Sequence, residues 1–159
     1  MKLFKNGLVG AISGLAGAYA MQRFRSVWNA KLSAADGVFG LDDEADLNSV
    51  RRLLPDTYGR TLTREQALRI ALLLHYGYGA MAGAGYGIAA RKFPSLRAGH
   101  GTAFGITLWA IGDELAMSVS GLSDPRRKSS LSHASALFAH LLFGTTVEVI
   151  LSRANRLLA

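Results

Sequence analysis

The sequence predicts an all-α, polytopic membrane protein, a bundle of four transmembrane helices packed through glycine. Three observations predict it. Half of the 159 residues are apolar and the mean hydropathy is +0.20, which is high for a soluble domain. The apolar residues are gathered in four blocks, with nearly all charges between them. Within the blocks, glycines recur at intervals of three and four, which places them on single helical faces.

The first block gives a span over residues 7–22, in which Gly7, Gly10, Gly14 and Gly17 share one side. Its apolar part is short, so the helix is expected to continue with a polar face through Arg23, Arg25 and Trp28. Tyr19 and Trp28 suit the membrane interface, and a tilted or partly interfacial helix is the alternative. Met1 to Met21 also imitates a secretory signal, with Ala18-Tyr19-Ala20 as a cleavage site. Its glycine content argues against that reading, since signal cores are leucine-rich.

Residues 31–66 form an extramembrane segment that carries most of the acidic residues. Asp42-Asp43-Glu44-Ala45-Asp46 can open a short helix, because acids suit a helix N-terminus, with Leu47, Val50, Leu53 and Leu54 as its apolar edge and Pro55 ending it. The acids lack the alternating spacing and glycine of a calcium-binding loop. Thr63-Arg64-Glu65-Gln66 resembles a capping box and starts the next helix.

The second span covers residues 67–90. From Ile70 to Ala90 no residue carries a formal charge, and about 20 such residues cross the hydrocarbon of a bilayer. Gly79, Gly83 and Gly87 repeat every fourth residue and form two overlapping G-x-x-x-G units, the small-residue pattern that lets helix backbones approach in lipid. Gly77-Tyr78-Gly79-Ala80-Met81-Ala82 also matches a dinucleotide fingerprint. No strand precedes it and no acid follows at the required distance, so the glycines are read as structural.

The connection from Arg91 to Arg97 is short and contains Phe93-Pro94, which predicts that spans two and three are antiparallel neighbours. The third span covers residues 98–122, with Gly101 and Gly105 repeating the glycine spacing of Gly10 and Gly14. A polar turn from Ser123 to Lys128 leads into the fourth span, residues 131–152. Four crossings put both termini on one side. Lys and Arg are nearly balanced between the two faces, so the positive-inside rule assigns no orientation.

The net charge of +7 does not indicate nucleic acid, because the basic residues flank the apolar blocks instead of forming one stripe interleaved with aromatics. They sit where helices meet anionic headgroups. Cysteine is absent, which excludes disulfides and thiolate metal sites.

Titratable groups at membrane depth are costly and therefore functional candidates. They are His75 in span two, Asp113 and Glu114 in span three, and His140 and Glu148 in span four. At a rise of about 1.5 Å per residue, His75, Asp113, Glu114 and His140 lie within about 6 Å of the midplane, displaced toward one face, where they can meet. Asp113 and Glu114 are about 100° apart on a helix, and Asp113 is the better candidate because it lies on the side of Gly105 and Trp109. Glu148, about 12 Å along the helix from His140, is expected to pair with Arg91 or Lys92, or to face the first helix.

Three readings fit this cluster. A structural polar clamp fixes helix register, a proton-linked or ion-conducting site uses His75, Asp113 and His140, and a metal or haem site uses the two histidines. No spaced motif supports the third, so no metal or cofactor is expected.

The segment from His75 to Arg153 resembles the YagU-like family of uncharacterised bacterial inner-membrane proteins. The resemblance is carried by His75 followed by Gly85-Tyr86, Phe93-Pro94 and Gly101, Gly121-Leu122 with Pro125, and His140 with Glu148, together with the glycine-rich first span. It implies a small multi-pass protein of the bacterial inner membrane and no activity or cofactor. His75, His140 and Glu148 match the family pattern, whereas Asp113-Glu114 departs from it. The expected function is a non-enzymatic accessory subunit or scaffold that contacts lipid and other membrane helices, as a homo-oligomer or in a larger complex. A small proton-coupled transporter or channel is the alternative.

Overall fold

The computed structural model describes residues 2–36, 50–55, 61–116 and 130–157. Among them all regular structure is helical. The elements are α1 (Lys2–Asp36), α2 (Arg64–Ala89), a 3₁₀ segment (Pro94–Gly101), α3 (Thr102–Leu108) running into a π-helical stretch (Trp109–Ala116), and α4 (Ser130–Leu157). The Asp42–Asp46 run, the Ser123–Lys128 turn and the end of the expected third span lie outside the described residues.

α1 is one continuous helix through Arg23, Arg25 and Trp28, as its sequence predicts. Residues 50–53 are helical and stop before Pro55. Val50 is buried against Ala67, with Leu54 packed beside them. α2 starts at the expected capping box: the Gln66 amide donates to Thr63 Oγ1 at 3.2 Å, and the Thr63 amide donates to Gln66 Oε1 at 3.0 Å. The helix then runs without interruption through Gly77–Ala82, so no loop exists there to wrap a phosphate.

α1 and α2 are antiparallel and touch backbone to backbone. A methyl group added at Gly10 would meet the Gly83 carbonyl, one at Gly14 would meet the Gly79 carbonyl, and one at Gly87 would meet the Asn6 carbonyl. The same interface ends in polar contacts between Ala18 and His75 and between Gln22 and Tyr76. α4 lies on the other side of α1, where Phe143 and Val147 cover Gly17. α3 packs on α4 in the same close manner, with Gly101 against the Gly144 carbonyl and Gly105 against the His140 carbonyl.

Two expectations are corrected. Spans two and three were expected as direct neighbours, but the backbone pairing runs α2 on α1, α1 on α4 and α4 on α3. α2 and α3 meet through side chains, with the Tyr86 ring stacked on Phe104 at 4.4 Å. The third span was expected as one helix from residue 98, yet α3 begins at Thr102. The chain is broken before it: Gly99, His100 and Gly101 take successive positive φ values of 61°, 57° and 92°, which is left-handed backbone that a right-handed helix cannot include.

One helix among the described residues, Leu131–Leu157, is long and apolar enough by itself to cross a membrane. α2 is long enough, but its glycines, tyrosines and His75 dilute its hydropathy, and α3 is cut short by the break.

Polar and ionisable side chains share the core with apolar ones, and many large apolar side chains are exposed. The core contains Phe104, Phe143, Val147 and Leu151 but also Ser13, Asn6, His140 and Glu148, while Phe4, Ile12, Leu73, Met81, Ile111 and Phe138 are exposed.

Candidate functional site

Glu148 is the best-defined ionisable centre. Gly144, one turn earlier on α4, lets the start of α3 press onto the helix, so Glu148 is covered by Gly101 and is 8% exposed. Ser152 follows one turn later on the same face, and its hydroxyl donates to Glu148 Oε1 at 2.6 Å. Arg97 reaches in from the 3₁₀ segment and donates to the same oxygen through Nε at 2.9 Å and Nη2 at 2.7 Å. Nη2 also donates to Ser152 Oγ at 2.7 Å. Tyr86 of α2 donates its hydroxyl to Oε2 at 2.5 Å.

The carboxylate is therefore held from three directions, by α2, by the broken segment before α3 and by its own helix. The hydrogen bonds that Arg97 donates to Glu148 raise its guanidinium above its ordinary pKa. Such a fully bonded carboxylate meets the requirement for a charge held away from water. Chemically it is a clamp: both carboxylate oxygens are occupied by donors. Among the described residues no group of three metal-ligating side chains is assembled.

Glu148 was expected to pair with Arg91 or Lys92, or to face the first helix. Both cations are exposed, with Lys92 lying over the Phe93 ring, and the partners are Arg97, Tyr86 and Ser152. A signal for them existed in the sequence. Tyr86 shares a helix face with Gly79 and Gly83, and Ser152 is four residues from Glu148. Arg97 gave no such signal, because its approach depends on the chain break after it.

The histidines bond elsewhere. His75 Nε2 donates to the Ala18 carbonyl of α1 at 3.1 Å, and His140 Nδ1 donates to the Ala136 carbonyl of its own helix at 2.9 Å. His140 is buried and His75 is half-buried. Asp113 and Glu114 fall on the π-helical stretch, and their side chains lie outside the described residues. The geometry thus joins Glu148 to groups not foreseen for it and gives each histidine a backbone partner.

Tyr86→Phe tests the clamp with little change of shape, since the ring keeps its stack on Phe104. The expected loss is about 1 kcal/mol, the size of one hydrogen bond in such a setting, read by thermal unfolding in mild detergent. An unchanged melting point would show that the hydroxyl does not support Glu148.

A family model described as a protein of unknown function, DUF1440, matches residues 57–149, more than half of the chain. The match includes α2, the broken segment, α3 and α4 up to Val149. No curated protein and no solved structure matches the chain.

Proposed function

Since the chain belongs to the DUF1440 family, whose function is unknown, we propose from its own geometry that it is an integral membrane protein with four spans, a small non-enzymatic scaffold or accessory subunit. The observation that carries this reading is the apolar exterior. Large apolar side chains such as Leu73 and Met81 are turned outward at 73% and 69% exposure, while Glu148, His140 and Ser13 are inside. Water would penalise that arrangement and lipid would favour it. α4 supplies one helix with the length and hydropathy of a span.

Local hydrogen bonding supports the same reading. Thr107 and Thr146 donate to carbonyls four residues earlier in their own helices, which satisfies hydroxyls where water is absent. In lipid no hydrophobic force drives helices together, so close backbone contact at the glycines is the source of cohesion. The seven glycines Gly10, Gly14, Gly79, Gly83, Gly87, Gly101 and Gly105 face other parts of the same chain. The scaffold reading therefore rests on a self-packed bundle, and other membrane helices would approach over its leucine- and methionine-bearing exterior. The resemblance to YagU-like proteins favours the bacterial inner membrane as its location.

Proton-coupled transport through His75, Asp113 and His140 has less support, because His75 bonds a backbone carbonyl of α1 and His140 one of its own helix, and the two imidazoles do not bond each other. The membrane reading is tested by alkaline carbonate extraction of a membrane fraction. The chain is expected to stay in the pellet and to be released by detergent alone. Recovery as a soluble monomer in the carbonate supernatant would overturn it.

A further inference from the structure

The helix contacts place six basic residues at one end of the bundle. The start of α1 lies beside the end of α2, since Asn6 meets Gly87 and Gly7 meets Ile88. The end of α4 lies there too, because Arg97 bonds both Glu148 and Ser152. Lys5, Arg91, Lys92, Arg97, Arg153 and Arg156 therefore share this end.

Acid is nearly absent from it. No Asp or Glu occurs before Asp36 or between Ile70 and Gly112, and residues 130–159 contain Glu148 alone. Glu148 is buried and committed to Arg97, which leaves the outer charges of Arg91, Lys92, Arg153 and Arg156 uncompensated by any Asp or Glu side chain among the described residues of this end. All four are exposed. Apolar groups surround them, with Phe4 79%, Phe93 53% and Leu157 86% exposed. A ring of cations bordering an apolar surface matches the boundary between headgroup phosphates and acyl chains.

On the membrane reading above, we propose that the end of the bundle where α1 starts and α2 and α4 stop is a binding surface for anionic phospholipid headgroups. The outer four cations select it, and Arg97 is withheld for the internal clamp. The opposite end differs, since α1 runs there toward Asp36 and the first turn of α2 carries Glu65, which pairs with Arg69 at 2.6 Å.

Native mass spectrometry of the full chain in mild detergent, titrated with dioleoyl phosphatidylglycerol or dioleoyl phosphatidylcholine, tests this. Wild type is expected to retain the anionic lipid at least about ten-fold more tightly, given about five-fold per basic residue near a headgroup. The variant R91Q/K92Q/R153Q/R156Q, whose changes are exposed and leave the helix contacts intact, is expected to lose that preference. R23Q/R25Q, at the other end, is expected to keep it. Equal retention of both lipids by wild type, or a preference that survives the fourfold change, would overturn the proposal while leaving the chain a membrane protein. Solubility without detergent together with retention of neither lipid would overturn the membrane reading itself.

Discussion

Gly83→Leu is expected to force α1 away from α2 and to lower stability by about 3 kcal/mol, the upper end for an overpacked contact. A methyl group at Gly83 already falls on the Gly10 carbonyl and lies 2.6 Å from the Gly14 Cα. These are backbone atoms, which no rotamer change can move aside, so the helices must separate and lose the dispersion contacts between them. Gly85→Ala on the same helix is the control, because its added methyl would meet nothing within 4 Å. That change is expected to be neutral or to stabilise by up to about 1 kcal/mol through helix propensity. Thermal unfolding in mild detergent reads both. A Gly83→Leu protein that melts like wild type would mean that α1 does not lie on this face.

The second large effect is expected at Arg97. Arg97→Met leaves Glu148 buried without its counter-charge, and removing one member of a buried pair costs about 3 to 5 kcal/mol. The lower figure applies here, since Tyr86 and Ser152 still donate to the carboxylate. Glu148→Gln is expected to cost less, about 1 kcal/mol. The amide keeps a partner for Tyr86, and Arg97, 47% exposed, can turn outward to water or headgroups. The asymmetry is what unfolding measurements should detect. Equal losses, or a larger loss for Glu148→Gln, would place the desolvated charge on the arginine instead.

Both experiments concern features that were unequally legible beforehand. The four-residue spacing of Gly79, Gly83 and Gly87 defined a face, because helical periodicity is local and reads directly from one chain. The same spacing could not name the partner, and α1 became that partner through tertiary packing. Thr63 and Gln66 made a cap visible for a similar reason, since donor and acceptor are three residues apart. The ionisable groups were visible as anomalies in apolar runs, but their pairing was not. Its place near a helix end points Glu148 to Arg91, Lys92 or the first helix, whereas the left-handed break at Gly99, His100 and Gly101 carries Arg97 inward.

By itself the sequence determined the helical character of the chain, the faces along which its glycines lie, and the positions of its charges between apolar blocks. Each of these follows from interactions within a few residues. Only the tertiary structure decided that α1 stands between α2 and α4, that Tyr86 bridges to Phe104, and that Arg97 closes on Glu148. Those pairings join residues far apart in the chain, and their energies depend on desolvation and on backbone approach that exist only once the helices have met.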